Sequence, residues 1–173
     1  MVEFLITSGI THHLEQLIIG AEEKVVLISP YLKINTRIKE HIEEKNRTDI
    51  QIDVVYGKKK LKSDEEEWLN SLEFLGIFFV KDLHAKCYLN EKEAIVTSMN
   101  LHEYSQVKNH EMGLYISRDN NPELYDKINE YAEKLIRNSE KQKIRVEKIS
   151  HKKNKTKSEV KDSGFCIRCN EKI

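Results

Sequence analysis

Four polar residues near the middle of the chain have the types and the spacing of a phosphate site. His84 and Lys86 are two residues apart, and Ser98 and Asn100 are two apart after the next apolar run. Residues two apart on a strand point to the same face of a sheet, so a hairpin would bring the two pairs together. A lysine charge, an amide and a hydroxyl suit a phosphate group, and a histidine can attack phosphorus or transfer protons. The pattern therefore predicts phosphoryl-transfer chemistry at the edge of a sheet.

Glu111 is a fifth candidate because it opens the next apolar run after these pairs. A carboxylate at that place could hold the proton of one imidazole nitrogen and present the other nitrogen to the substrate. We therefore expect Glu111 to orient a histidine of the site.

The elements that must position these residues alternate along the first half of the chain. Short apolar runs at 24–29, 50–56 and 77–80 predict buried strands, and helical apolar spacing predicts a helix before each of them. The predicted N-termini of these helices are Thr11, Asn35 and Ser63. Such an alternation implies right-handed crossovers and parallel strand pairing.

The pattern changes after residue 80. Runs at 85–89, 94–97 and 112–116 predict three more strands, of which the first two form a hairpin across the polar turn 90–93. A last helix begins at Asn121-Pro122. Its predicted apolar face consists of Leu124, Ile128, Ala132 and Leu135. The sequence thus predicts an α/β fold with a mixed, largely parallel β-sheet that is flanked by helices on both faces.

The segment from His84 to Glu111 resembles the HKD motif of the phospholipase D superfamily, which reads His-x-Lys, four residues, Asp, then Gly-Ser-x-Asn and a later Glu. The matching residues are His84, Lys86, Ser98, Asn100 and Glu111. Two positions depart from the motif, since Glu91 stands at the aspartate and Thr97 at the glycine, and the hairpin is one residue shorter than usual. The family's aspartate is regarded as structural, so the resemblance implies an intact catalytic set.

The resemblance also implies a mechanism and an oligomeric state. Superfamily sites use two facing His-x-Lys motifs, whereas this chain has one, because His151-Lys152 lies in a polar segment without a following Ser-x-Asn. A homodimer would supply the second motif at a two-fold axis. One His84 would then form a phosphohistidine while the other acts as acid and base, and Lys86 and Asn100 would bind the phosphate oxygens. The resemblance implies no cofactor or divalent cation for the chemistry.

Short single-motif members of the superfamily are mostly bacterial nucleases, so the resemblance favours hydrolysis of nucleic acid, with DNA favoured over RNA. The substrate-binding candidates near the same sheet edge are Lys58, Lys59, Lys60, Lys62, Tyr31 and Lys33. The lysine loop is also typical of a solvated surface. Two alternatives stay open: a phospholipase or small-molecule phosphodiesterase, and a nucleic-acid-binding module that has lost turnover.

The 29 basic and 29 acidic residues cancel over the whole chain but not along it. Residues 1–138 carry 18 basic and 24 acidic side chains, a net charge of −6, and residues 139–173 carry 11 and 5, a net charge of +6. Residues 139–163 lack an apolar pattern, which predicts a disordered basic arm after a domain of residues 1–138. The arm is either a solubilising linker or a non-specific contact with a phosphate backbone.

Cys166 and Cys169 form a C-x-x-C pair in a last segment, residues 164–173. Structural zinc normally needs four ligands, so this pair would be half of a site. The other half could lie beyond a truncated end or in a second chain, or both thiols could be free. Three cysteines do not make a disulfide framework, and no apolar stretch is long enough to span a membrane, which predicts a cytoplasmic protein without a membrane partner.

Overall fold

The computed structural model describes residues 2–57, 61, 63–102 and 109–141. Within them, eight strands form one sheet and four helices pack against it. The strands are β1 (Val2–Ile6), β2 (Lys24–Ile28), β3 (Gln51–Tyr56), β4 (Leu75–Phe79), β5 (Cys87–Asn90), β6 (Glu93–Thr97), β7 (Met112–Ser117) and β8 (Glu140–Lys141). The helices are α1 (Thr7–Ile19), α2 (Thr36–Arg47), α3 (Ser63–Asn70) and α4 (Pro122–Arg137).

The sheet has the strand order β1-β7-β6-β5-β2-β3-β4-β8. Strands β2, β3 and β4 pair in parallel, and all other neighbours in this order pair antiparallel. The predicted mixed sheet is therefore confirmed. Its parallel pairing is limited to these three strands, because the chain returns after β4 as a series of antiparallel strands.

Helices cover both faces of the sheet, as predicted. The helices α1, α2 and α3 pack on one face, where Leu14, Leu17 and Ile38 are fully buried. The helix α4 packs on the other face through Tyr125 and Ala132. Successive residues of the central strands therefore point into two separate cores, which explains why these strands read as continuous apolar runs.

The first and last helices differ in detail from the sequence prediction. The helix α1 begins at Thr7, and Thr11 lies inside it, where its hydroxyl donates to the Thr7 carbonyl at 3.0 Å. The predicted N-cap at Thr11 is wrong because residues 2–6 form an unpredicted strand that leads straight into the helix. On α4, Leu124 is exposed rather than buried, and Tyr125 beside it faces the core.

The sheet continues beyond residue 138. The strand β8 pairs with β4 through the backbone of Phe78 and Phe79. Residues 142–173, with almost all of the predicted basic arm and the whole C-x-x-C segment, lie outside the described residues. In the part of the chain that is described, no helix is both long and apolar enough to cross a membrane.

Candidate active site

The five residues of the predicted catalytic set lie at one edge of the sheet, where the parallel strands β2, β3 and β4 end. Lys86 directly precedes β5, whose first residue, Cys87, pairs with Ile28 at the end of β2. Ser98 directly follows β6, and Glu111 directly precedes β7. Open α/β sheets place their ligand sites at this carboxyl edge of the parallel strands. The strand arrangement thus brings the motif residues to the edge at which a site is expected.

His84 and Lys86 lie together on the loop before β5. The Lys86 ammonium is 3.3 Å from His84 Nδ1 and donates to the His84 carbonyl oxygen at 2.8 Å. The Thr97 amide donates to the Lys86 carbonyl at 3.1 Å, so this loop continues the pairing between β5 and β6. The strand predicted from residue 85 begins two residues later, but Lys86 still lies beside the end of β6. An exposed imidazole and an ammonium group are therefore available next to each other for one phosphate.

Ser98 is held by the neighbouring strand and by Glu111. Its hydroxyl donates to Glu111 Oε2 and accepts from the Met112 amide at 3.1 Å. Contrary to the expectation from the sequence, no hydrogen bond between Glu111 and His84 occurs within the described residues. The Glu111 carboxylate is bonded instead to Ser98 and to the side chain of Asn109. Within one subunit, Glu111 therefore positions Ser98 rather than the imidazole.

Two residues outside the motif hold Glu111 in place. Thr7 Oγ1 accepts from the Glu111 amide at 2.8 Å and donates to the Asn109 carbonyl at 3.0 Å. The Asn109 side chain donates to Glu111 Oε1 at 3.1 Å. The pairing of Ile6 with Met112 between β1 and β7 creates this contact. Sequence reasoning missed it because Thr7 and Glu111 are 104 residues apart, so no local pattern relates them.

Asn100 is half-buried in the turn after β6, and its acceptor atom is unsatisfied. Its Oδ1 is buried and has no hydrogen-bond partner among the described residues. The turn itself is fixed, since the Leu101 amide donates to Ser29 Oγ at 2.9 Å and the Tyr88 hydroxyl donates to the Met99 carbonyl at 2.7 Å. Burial raises the pKa of Tyr88 well above its ordinary value, so the phenol stays a donor. The unpaired amide oxygen can accept a hydrogen bond from a ligand, whereas a contact with a phosphate oxygen needs the Asn100 amide nitrogen as donor.

Tyr31 and Lys33, which the sequence predicts as substrate-binding residues, lie at the same edge. The Lys33 amide donates to the Leu101 carbonyl at 3.0 Å, and Lys33 also forms a parallel bridge with His102. The Tyr31 carbonyl accepts from Ser29 Oγ at 2.7 Å. The segment after β2 is therefore tied to the turn that follows β6. The other predicted ligand-binding residues lie outside the described residues: Lys58, Lys59, Lys60, Lys62, Cys166 and Cys169.

Glu91, the first departure from the motif, has a structural role. It lies in the β5–β6 turn, at the opposite end of β5 from the site. Its carboxylate accepts from the Glu22 amide at 2.9 Å and from the amides of Glu23 and Lys24 at 3.4 Å. Burial alone would raise the pKa of Glu91, but hydrogen bonds from its own amide and from these three amides outweigh burial and lower the pKa. The ionised carboxylate thus anchors the turn to the start of β2.

Thr97, the second departure, fills the place of the motif glycine without disturbing the turn. Its hydroxyl donates to the Met112 carbonyl at 2.8 Å and accepts from the Met99 amide at 3.0 Å. The residue opposite is Gly113, where a Cβ would lie 3.1 Å from Thr97 Cβ and 3.2 Å from Ile10 Cγ1. The side chain at position 97 is accommodated because the facing strand carries a glycine.

A groove of about 680 Å³ leads away from the site between α4 and the strands β5 and β6. His84, Lys86 and Ser98 line one end of it, and α4 contributes Lys127 and Tyr131. The rest of its lining is mainly apolar and consists of Ala85, Cys87, Val96, Thr97 and Ile128. Burial raises the pKa of Cys87 to about 12, so this thiol is neutral. Sequence reasoning missed the two α4 residues because the motif gives no information about which helix covers the hairpin.

No group of three or more His, Cys, Asp or Glu side chains that could hold a metal ion occurs in the described ranges of the chain.

Comparisons with known proteins identify the family. The family model "Cardiolipin synthase, PLD-like domain" matches residues 14–136, so the chain belongs to the phospholipase D-like family. NucT from Helicobacter pylori is similar in structure, with a TM-score of 0.69 at 15% identity over 82% of this chain and 99% of that chain. Nuc from Salmonella typhimurium, a phospholipase D family member, has a TM-score of 0.67 at 12% identity over 82% and 98% of the two chains.

A third similar structure is TrmBL2, described as an archaeal chromatin protein with a novel mode of DNA binding. Its TM-score is 0.56 at 16% identity, over 81% of this chain and 53% of that chain. No curated protein sequence matches the chain. The structural matches confirm the predicted phospholipase D-like fold. Membership of the family supports phosphodiester hydrolysis and agrees with the prediction that catalysis needs no cofactor.

Proposed function

We propose that the chain is a phosphodiesterase that hydrolyses nucleic acid, with DNA favoured over RNA, at a site shared by two copies. The observation that carries this proposal is the meeting of His84, Lys86, Ser98 and Asn100 at one sheet edge, in a chain with one such set. The size of the fold supports it, because the matched region spans 99% of NucT and 98% of Nuc. The chain thus corresponds to a short single-motif member, the class for which the sequence resemblance implies nuclease activity.

The proposed reaction has two displacements at phosphorus. A nitrogen of His84 attacks phosphorus and forms a P–N bond, while the bond from phosphorus to the leaving oxygen breaks and His84 of the partner subunit gives that oxygen a proton. The same partner imidazole then removes a proton from water, whose oxygen attacks phosphorus and breaks the P–N bond. At the end of the cycle, the attacking His84 is free of phosphorus again and the partner imidazole carries its proton again. Paired covalent and acid-base catalysis requires that both histidines be regenerated in this way.

Lys86 and Asn100 would stabilise the charge that develops on the non-bridging oxygens. The Lys86 ammonium already lies beside His84. Donors that are already in position before the reaction stabilise the charge of the transition state without having to move. The groups at this sheet edge can therefore lower the activation barrier of hydrolysis without a bound cation. Ser98 is positioned through Glu111, which keeps the hydroxyl next to the same turn.

A candidate surface for the second copy adjoins the site. We call it the apolar strip, and it consists of Phe4, Ile6, Val96, Met112 and Leu114. By register these residues share the sheet face on which α4 packs, but they lie beyond the helix and remain exposed. Phe4 is 63% exposed and Met112 is 62% exposed. The Met112 amide donates to Ser98, so the strip is continuous with the predicted site.

The strip supports a two-fold arrangement. Large contiguous apolar patches are uncommon on monomers, and a stable interface buries roughly 800 Å² on each partner. In a two-fold dimer the same patch faces itself, so contact through a surface that adjoins Ser98 would bring both sites close to the axis. This is the geometry in which one His84 attacks and the other protonates the leaving group.

The deciding experiment measures cleavage of plasmid DNA and single-stranded oligonucleotides in excess EDTA. The wild-type protein is compared with His84→Ala and with His12→Ala, an exposed histidine of α1 away from the site. Wild type and His12→Ala are expected to cleave, whereas His84→Ala loses at least about a thousandfold in rate, because the residue acts as nucleophile and as acid. Cleavage that needs an added metal, or that survives in His84→Ala, contradicts the mechanism.

A lipid or another small phosphodiester is the alternative substrate, and the apolar lining of the groove favours it. Turnover of phospholipid vesicles without cleavage of nucleic acid would establish this alternative. A binding module without turnover would instead bind oligonucleotides and show no difference between wild type and His84→Ala in the cleavage assay.

A further inference from the structure

The groove beside the site is larger than a phosphate requires. Its volume of about 680 Å³ falls in the range of pockets that hold organic ligands, roughly 300–1,000 Å³. His84, Lys86 and Ser98 line one end of the groove. A substrate whose phosphate lies at these residues would extend into the groove with one of the groups esterified to that phosphate.

The charge of the groove favours a polyanion with flat apolar parts. Lys86 lies on the wall formed by the loop before β5, Lys127 lies on the wall formed by α4, and none of the described lining residues is acidic. A phospholipid such as the alternative substrate offers one reacting phosphate and flexible chains, whereas a nucleic acid strand offers successive phosphates with a base between them. Cations on two walls with an apolar surface between them match the second pattern.

Tyr131 provides the flat surface. It lies one turn after Lys127 on α4 and therefore on the same side of the helix. Tyr131 is 53% exposed, while Ile128 and Ala132 next to it pack into the core. An exposed aromatic ring beside a phosphate-binding site is the usual platform on which proteins stack unpaired bases.

We propose that this groove binds the nucleotide next to the scissile phosphate, with its base stacked on the Tyr131 ring and its second phosphate at Lys127. The inference rests on the proposed function and adds substrate-binding residues on α4, an element outside the motif.

The test uses two substrates with the same phosphodiester backbone, a short thymidine oligonucleotide and an oligomer of abasic sugars. The kcat/KM of each is measured for wild type, Tyr131→Ala, Tyr131→Phe and Leu124→Ala; Leu124 is exposed on α4 but does not line the groove. Tyr131→Ala is expected to lower kcat/KM roughly 5- to 100-fold on the thymidine oligomer and to leave the abasic oligomer unaffected. Leu124→Ala is expected to match wild type on both substrates, and Tyr131→Phe, which keeps the ring, is expected to retain the preference for the thymidine oligomer that Tyr131→Ala loses.

Equal losses on both substrates, or no loss on the thymidine oligomer, would overturn the stacking role. Light scattering is run on every variant, because a lower solution mass for Tyr131→Ala would assign the ring to the subunit interface and refute the proposal.

A binding measurement keeps this test separate from that of the proposed function. Labelled thymidine oligomer is titrated into His84→Ala protein with and without Tyr131→Ala, and the second substitution is expected to weaken binding by a similar factor. Unchanged affinity contradicts the groove assignment, whereas a wild-type protein without nuclease activity contradicts the proposed function instead.

Discussion

At the residue scale, the position of Ser98 depends on residues that the motif does not contain. Its hydroxyl is bonded to Glu111, and Glu111 is held by Thr7 through its amide and by Asn109 through its carboxylate. The motif thus predicts which groups carry chemistry, while hydrogen bonds from distant residues determine where those groups lie. A loss of any of these bonds should alter turnover more than substrate binding, because Thr7 and Asn109 act through Glu111 rather than on the substrate.

Thr7→Val tests this positioning role, because valine keeps the shape of threonine and removes its hydrogen bonds to the segment 109–111, of which the two shorter are those with the Asn109 carbonyl and the Glu111 amide. At about 1 kcal/mol for each hydrogen bond, we expect kcat to fall roughly 5- to 30-fold with little change in KM, as measured by steady-state kinetics. The control is Thr11→Val, since Thr11 is also half-buried in α1 but donates only within the helix. Equal kinetics for the two variants would show that Thr7 does not position the site.

At the element scale, the β5–β6 hairpin connects the site with a remote anchor. The motif residues lie next to the open end of the hairpin, and Glu91 lies in its turn. The Glu91 carboxylate accepts hydrogen bonds from the amides of residues 22–24. The longer side chain of glutamate reaches the start of β2 from the shortened turn. The substitution of the motif aspartate is therefore compatible with an active hairpin.

Glu91→Gln tests the anchor through its pH dependence. The folded-state pKa of Glu91 is lowered, so its ionised form stabilises the fold above the ordinary glutamate pKa, and this stabilisation is lost as the pH falls through the folded-state pKa. We expect the substitution to lower the free energy of unfolding by about 1–2 kcal/mol at neutral pH, and the difference from wild type to shrink below about pH 4. Denaturant unfolding over this pH range measures it.

The matched control for the anchor is Glu22→Gln. Glu22 lies in the same region, but its exposed side chain pairs with Lys92 at the surface, and such pairs contribute little to stability. A difference between Glu91→Gln and wild type that stays constant from neutral to acid pH would contradict the role of the ionised carboxylate.

At the scale of the whole molecule, one chain has half of the machinery that the proposed mechanism requires. The apolar strip adjoins this half and has the position that a two-fold partner needs. The edge strand β1 contributes Phe4 and Ile6 to the strip, and the same strand leads into Thr7. The proposed assembly and the geometry of the site therefore involve the same part of the sheet.

Met112→Glu tests the assembly, because a dimer through the strip would bury the new carboxylate and its symmetry mate without partners, at a cost of several kcal/mol. We expect light scattering to give the mass of a monomer, circular dichroism to remain native, and nuclease activity to be lost. Leu124→Glu, which places the same charge at an exposed apolar position of α4 outside the strip, should leave mass and activity unchanged. An active monomeric wild-type protein would rule out the shared site.

The sequence by itself predicted the family and the mixed sheet, which are confirmed, and it proposed the residues of the site. His84, Lys86, Ser98 and Asn100 come to one edge although His84 and Lys86 lie on a loop and Asn100 lies in a turn, because these segments flank one hairpin whose two strands are neighbours in the chain. The apolar runs of β2 and β3 were equally clear, because both faces of these strands are buried.

Only the tertiary structure decided what each residue contacts. The register of β1 on β7 brings Thr7 to Glu111, the packing of α4 brings Lys127 and Tyr131 to the groove, and the strand order leaves Met112 exposed beside Ser98. These contacts join residues far apart in the chain. The hydrophobic pattern of one strand or helix shows which of its faces is buried, but it does not show how that element is aligned with a distant one. The choice of Ser98 rather than His84 as the partner of Glu111 follows from the register of β7 on β6, which places the residue after β6 beside the residue before β7.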